Sequence, residues 1–479
     1  MIPLNIIERS GIMQTREKFS SRLGFILISA GCAIGLGNVY RFPIWCGAYG
    51  GAIFLLFYLA FLVLLGIPVM SCELAVGRGS QRSIATSFDV LEKPGQKWHF
   101  MKYLGVAGNY LLMIFYTCIT GWFVIYLGKY LSGSIMDYGT NVDISVFVNM
   151  ITNEPLNIGV TVAVIVVGFA VCALGLKNGV EKITKILMVI LLALILGLAV
   201  YALTMKGAAQ GLKFYFIPSF ESVKEYGLGT VISAAMSQAF FTLSLGIGSI
   251  AIFGSYIDKE RSLLGEGVTI VVLDTFVAIM SGLVLFPAYF TFNPGATSVA
   301  ADQAGATFLF TTLASIFNNM AGGRIIGTLF FLFMVFAAMS TVIAVFENIM
   351  SFWIEWTKLK RWQIALINVV IVSVFSLPFI FSNTGTLGFF AKEMWPKGSV
   401  RNLTANFGDF EDFLVSNLAL PIGSLVYVLF CTRKLGWGWK NYELEVNAGN
   451  GAKVPAWMRP YMTYVLPLII IVVIVMSIL

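Results

Sequence analysis

The chain has 479 residues, 58% of them hydrophobic and 11% charged, with a mean hydropathy of +0.86; this excludes a soluble globular protein and points to an all-α integral membrane protein. The net charge of +7 does not imply a nucleic-acid partner, because the basic residues are scattered through short connections between apolar segments and do not cluster with aromatics. The six cysteines, at 32, 46, 72, 118, 172 and 431, lie within or at the ends of apolar segments without metal-ligand spacing, which speaks against zinc and against disulfides.

Residues 1–22 carry charges and no apolar run ending in a small-residue cleavage site, so they read as a retained cytoplasmic tail. Windows long enough for a hydrocarbon core of roughly 30 Å follow at 23–44, 52–76, 103–131, 156–176, 183–204, 228–254, 263–290, 325–354, 362–382, 411–432 and 460–479. They predict eleven transmembrane spans, numbered here in chain order. With the N-terminus inside, cytoplasmic segments hold 22 of the 31 Lys and Arg residues and external ones 8, the asymmetry of a multi-pass inner (plasma) membrane protein with Leu479 outside. The longest external connections, 132–155, 293–324 and 383–410, are the places for short surface helices that gate an outer vestibule.

Span 1 holds Ser29-Ala30-Gly31-Cys32-Ala33-Ile34-Gly35-Leu36-Gly37-Asn38-Val39-Tyr40-Arg41-Phe42-Pro43, where three glycines and an amide argue against an unbroken helix. Unsatisfied backbone groups are costly in hydrocarbon, so irregular chain at that depth must be buried in protein or line a cavity. Freed carbonyls beside an amide oxygen suit Na⁺, and the N-terminus of the second half-helix suits a carboxylate. Close helix packing through glycine is the plain alternative. Span 6 shows a second break at Ser237-Gln238-Ala239-Phe240-Phe241-Thr242-Leu243-Ser244-Leu245-Gly246-Ile247-Gly248-Ser249. Breaks opening each group of five predict an inverted-repeat transporter fold, spans 1–5 over 23–204 and spans 6–10 over 228–433, with span 11 at 460–479 as one extra helix.

Ionisable groups inside spans are functional candidates. Asp274 lies among apolar neighbours and suits cation ligation, with a structural hydrogen bond as the alternative, whereas Glu347 reads as part of a structural network. Ser340 and Thr341 offer two hydroxyls that ordinarily bond back to their own helix. Tyr116 and Trp122 read, on their own, as packing aromatics.

Gly31 to Pro43, Tyr49-Gly50-Gly51-Ala52-Ile53-Phe54 and Phe240-Phe241-Thr242-Leu243-Ser244-Leu245-Gly246 strongly resemble the neurotransmitter:sodium symporters, especially the bacterial leucine-transporter type, from about Arg16 to the end. The resemblance implies two Na⁺ sites. One would use the Ala33 carbonyl with Asn38, Thr242, Asp274 and the substrate carboxylate. The other would use the carbonyls of Gly31, Ile34 and Ala337 with the hydroxyls of Ser340 and Thr341. It implies a substrate pocket of Gly35 and Leu36 from span 1, Leu112 and Tyr116 from span 3, Phe241, Ser244 and Ile247 from span 6, and Thr341 and Val345 from span 8. Tyr116 then becomes a donor to the substrate carboxylate. Glycine at 35, where amine-transporting relatives have aspartate, implies an α-amino acid, and Leu112, Ile247 and Val345 imply an aliphatic or aromatic side chain. Arg41 and Asp412 match an external gate pair, and Arg16 and Glu355 an internal pair with Tyr256 nearby.

Three departures matter. Asp274 replaces an asparagine of many members and supplies a charge that chloride-dependent relatives borrow from Cl⁻, with Tyr58 and Gln238 remaining from that constellation, so chloride independence is expected. Cys32 stands where the leucine transporter has asparagine. Val189 stands, ten residues after Gly179, where many relatives use proline to unwind span 5. The resulting expectation is a Na⁺-coupled symporter of a hydrophobic amino acid working by alternating access. A cation channel or amino-acid-sensing receptor on the same scaffold is the competitor. An enzyme is not expected, since the only histidine, His99, lies in a connection and no zinc motif or activated nucleophile appears.

Overall fold

The computed structural model describes residues 18–220, 223–224, 227–296, 299, 308–384 and 407–478. Among the described residues the chain is helical, and its β-type pairing is a single bridge between Arg261 and Asn450. Nine helices among them have the length and composition to cross a membrane: Ala52–Ser80, Trp98–Ser132, Glu154–Ala173, Leu176–Leu203, Leu263–Phe292, Gly323–Trp356, Arg361–Thr384, Phe410–Thr432 and Met458–Met476. Span 1 is a bent pair, Arg22–Ala33 and Gly37–Ala48, with 51° between its halves. Span 6 consists of Leu228–Thr242 and the short helix Ser249–Gly254, separated by an unwound stretch. The set is compatible with eleven spans.

Burial sorts the helices by place. Of the most apolar window in each, 83% is buried in span 8 and 72% in span 3, against 33% in spans 5 and 11. Spans 3 and 8 therefore stand at the centre, and spans 5 and 11 present much of their surface to lipid. The broken spans lie inside this frame: the residues of span 1 from Gly24 to Ala33 are all buried.

Glycines account for how closely span 1 fits. A Cβ on Gly31 would stand 2.9 Å from the Thr184 methyl of span 5, and one on Gly24 would strike the Glu181 carboxylate. Small residues thus let spans 1 and 5 touch, as the packing alternative expects, while Gly35 faces another element altogether. Span 5 begins with a π-helical turn, Leu176–Glu181, entered through Gly175 at φ +93°. Val189 lies farther along and is 59% exposed. The irregular turn of span 5 is therefore at its start and not at the position where relatives place proline.

The connection 132–155 carries the helix Ile144–Ile151, capped by the Asp143 side chain on Ser145 N. Connection 293–324 carries the helix Phe308–Asn318, while residues 297–298, 300–307 and 385–406 of the connections and 1–17 of the tail lie outside the described residues. Between spans 10 and 11 a helix at Trp439–Val446 is tied down by Glu445, which accepts from Arg78 Nε at 2.6 Å and Lys259 Nζ at 2.7 Å.

Candidate functional site

Both breaks arise where the backbone leaves the helix. In span 1, Ile34 turns extended (φ −73°, ψ 95°) while its N–H still bonds Ala30 O. In span 6 the chain passes through Ser244 (φ +52°), Gly246 (φ +97°) and Gly248 (φ +78°). Glycine adopts such angles freely; at Ser244 they cost roughly 1 to 3 kcal/mol. The Ser244 hydroxyl donates to Cys32 O at 3.4 Å and so links one break to the other.

Between the breaks lies a pocket. Span 1 contributes Cys32, Ala33, Gly35 and Gly37, and span 3 contributes Leu112 and Tyr116. Phe241 and Ser244 of span 6, Thr341 of span 8 and Leu420 of span 10 complete it. The Tyr116 hydroxyl accepts from Leu36 N at 2.8 Å, which places it on the break and accounts for Leu36 through its backbone. A Cβ at Gly35 would strike both the Tyr116 hydroxyl and Thr341 Oγ1. Ile247 and Val345 are buried but are not among the lining residues. Cys32, Gly37 and Leu420 are additions to the expected set.

Beside the pocket, Asp274 of span 7 is fully buried. Its carboxylate accepts from Asn38 Nδ2 at 2.8 Å, from Thr242 Oγ1 at 3.2 Å and from the Tyr58 hydroxyl at 3.5 Å. Asn38 Oδ1 accepts from Gly35 N at 3.1 Å, so this amide spans the break in span 1. Asn38, Thr242 and Asp274 thus come together, with Ala33 in the adjoining wall. Gln238 Nε2 donates to Gly37 O at 2.6 Å.

Across span 1, five further oxygens converge. The Ser340 hydroxyl lies 3.2 Å from Ile34 O and 2.8 Å from Ala337 O, and Thr341 Oγ1 lies 3.1 Å from Gly31 O. Ser340 bonds back to its own helix, as hydroxyls in membrane helices do. Both hydroxyls also reach carbonyls freed by the break. Hard oxygen donors without a thiolate or imidazole fit an alkali cation and not a soft metal.

Arg41 and Asp412 meet above the pocket at 3.0 Å, and Arg41 also donates to the Ser416 hydroxyl at 2.7 Å. The Arg41 guanidinium stands 4.1 Å above the Trp45 ring and 4.4 Å above Phe241, so it packs on two aromatic rings. On the opposite side, Glu355 accepts from Ser83 N at 2.7 Å and from Thr86 Oγ1; its expected partner Arg16 lies outside the described residues. Tyr256 donates to Glu347 at 3.1 Å and packs edge-on against Phe19. Glu347 also pairs with Arg361, the structural network expected of it. Trp122 donates to Asn157 Oδ1 at 3.1 Å and packs among Phe147, Phe310 and Phe379.

Two polar groups at the span 6 break are missing from the sequence reading. Glu73 of span 2 is buried and accepts from Gly246 N. Asn109 of span 3 donates to Ile247 O at 2.8 Å and accepts from Asn348 of span 8 at 2.9 Å. A charge or amide inside an apolar window is the available signal for each.

The model of the Sodium:neurotransmitter symporter family matches residues 16–139 and 148–479. The chain belongs to that family. It is a family of Na⁺-using secondary transporters, not of enzymes. Among its relatives is the uncharacterized sodium-dependent transporter YhdH of Bacillus subtilis, 29% identical over 461 residues, which cover 96% of this chain and 97% of the relative. The sodium-dependent neutral amino acid transporter B(0)AT2 of Bos taurus is 25% identical over 311 residues, 59% of this chain and 42% of its own. The crystal structure of MhsT in complex with L-phenylalanine superposes with a TM-score of 0.82 at 33% identity, covering 96% of this chain and all of that one. This symporter is therefore an all-helical, multi-pass membrane transporter built like MhsT.

Proposed function

We propose that this chain is a Na⁺-coupled symporter of a hydrophobic α-amino acid, chloride-independent, working by alternating access in the plasma membrane with its N-terminus in the cytoplasm. The observation that carries this reading is the joint construction of the pocket from two broken helices: a backbone and phenol end at Leu36 N and Tyr116, and an apolar end at Leu112 and Phe241. The first end suits a carboxylate and the second an aliphatic or aromatic side chain. Gly35 offers no carboxylate that would select an amine. The family relative crystallised with L-phenylalanine supports the same class.

Two Na⁺ ions are the co-substrates in this reading. Asn38, Thr242, Asp274 and the Ala33 carbonyl would hold one, completed by the substrate carboxylate; Gly31, Ile34, Ala337, Ser340 and Thr341 would hold the other. A ligand shared between substrate and ion makes each bind more tightly in the presence of the other, reciprocally. Arg41 with Asp412, and Arg16 with Glu355 and Tyr256, would be the outer and inner latches. In the outer pair Asp412 is 35% exposed against 7% for Arg41, so water reaches it from the carboxylate's side. Residues 23–204 and 228–433 would be the two repeats that rock against each other.

Proteoliposomes loaded with potassium and diluted into sodium medium test the reading. Concentrative uptake of leucine, methionine, phenylalanine or tryptophan is expected in Na⁺, absent in K⁺, and unchanged when gluconate replaces chloride. Uptake of decarboxylated amines, or Na⁺ currents without concentrative uptake, would overturn it in favour of an amine carrier or a channel. A second check uses Cys32, one of six buried free cysteines. A small methanethiosulfonate should modify it while the pocket is open to water, and Na⁺ with a transported amino acid should slow that reaction several-fold. Mass measurement of intact protein reads the rate, with Cys32→Ser as the blank; a rate indifferent to substrate would place Cys32 off the binding path.

A further inference from the structure

We propose that Leu420 of span 10 sets the size of the side chain that the pocket accepts, an inference that rests on the amino-acid reading above. Leu420 lines the pocket and is 1% exposed. Nothing in the chain's local pattern marks it, because it is one leucine within the apolar run Leu418-Ala419-Leu420-Pro421.

Its position is fixed by backbone. A Cβ on Gly246 would strike Leu420 O, and one on Gly423 would strike Gly246 O. Span 10 therefore abuts the span 6 break directly, and the Leu420 side chain cannot withdraw without moving that break. The helix also changes pitch here: a π-helical stretch, Leu414–Ala419, gives way to the α-helix Leu420–Thr432 with Pro421 in its first turn. Such π-helical insertions recur at functional sites.

Two of the other walls are committed elsewhere, and Leu112 of span 3 shares the apolar side of the pocket with Leu420. Phe241 lies under the Arg41 guanidinium at 4.4 Å, and Tyr116 is held by Leu36 N at 2.8 Å. Ile247 is not a wall: it points its Cγ2 at Gly108, where an added Cβ would stand 2.6 Å away. Leu420 has no polar task, so its volume is free to decide which side chains fit. One methylene changes discrimination by roughly 10- to 200-fold.

The test compares uptake of leucine and tryptophan by Leu420→Ala, Leu420→Val and Leu420→Phe, with Ile422→Ala, on the 36% exposed face of the same span, as the control. The tryptophan-to-leucine rate ratio is expected to rise at least about 10-fold in Leu420→Ala, to rise less in Leu420→Val, and to fall in Leu420→Phe, with Ile422→Ala unchanged. Na⁺-dependent uptake with the wild-type ratio in Leu420→Val and Leu420→Phe would overturn the inference alone, even if Leu420→Ala failed to fold. Absence of Na⁺-dependent amino-acid uptake in the wild type would overturn the transport reading and this inference with it.

Discussion

Asp274→Asn is expected to weaken Na⁺ activation of uptake by about 10³-fold. The side chain keeps its shape, so the variant removes charge and little else. In the wild type the carboxylate is fully buried and surrounded by neutral donors, Asn38 Nδ2 at 2.8 Å, Thr242 Oγ1 at 3.2 Å and Tyr58 at 3.5 Å. Hydrogen bonds from neutral groups offset only part of the cost of burying a charge, which leaves the site in need of a cation. A unit charge about 4 Å from a cation is worth about 4 kcal/mol at an effective dielectric constant of 20, the origin of the factor of about 10³. Chloride gives the second arm of the measurement. Tyr58 and Gln238 remain in the asparagine variant, and Gln238 Nε2 lies on Gly37 O at 2.6 Å, beside the same break. An anion admitted there should restore part of the lost Na⁺ activation, so the variant should work better in chloride than in gluconate while the wild type does not distinguish them. Equal Na⁺ activation in wild type and variant would remove Asp274 from the ion site.

What can be read from the sequence divides along physical lines. The break in span 1 is legible because glycine density and a lone amide contradict a membrane helix locally, within about fifteen residues. Asp274 is legible because a charge in an apolar run needs a reason. Ser340 and Thr341 are not distinctive by themselves, since hydroxyls commonly bond within their helix; only the likeness to a family singles them out. Tyr116 looks like packing until the same likeness gives it a role, and its hydroxyl is in fact on Leu36 N. Glu73 shows the opposite failure. Its contact with Gly246 joins residues 173 apart, and no local period announces such a meeting. Ile247 marks another boundary. Between Gly246 at φ +97° and Gly248 at φ +78° the chain has no helical period from which to read where a side chain points, and Ile247 faces Gly108.

Gly35→Val is expected to abolish uptake, by at least about 100-fold, without unfolding the protein. A Cβ at this position would strike the Tyr116 hydroxyl and Thr341 Oγ1, with Thr341 Cβ 3.1 Å away. Both neighbours are buried, Tyr116 2% exposed and Thr341 3%, and can yield only into the pocket that they line. The added side chain therefore occupies the place proposed for the substrate carboxylate and pushes on a hydroxyl proposed for the second ion. Overpacking a well-filled site costs typically about 1 to 3 kcal/mol, which a large helical protein can absorb as a folding cost. At the site the same displacement removes a donor and an ion ligand together, and their coupling makes the losses compound. Gly35→Ala places the Cβ without the two methyls and should retain a measurable fraction of uptake. The readings that separate these effects are thermal stability in detergent, Na⁺-dependent protection of the fold, and uptake of the best substrate. Stability close to wild type with uptake lost identifies the pocket as the seat of the defect. Full uptake in Gly35→Val would mean that the substrate does not pass between Tyr116 and span 1, and the pocket would have to be sought elsewhere.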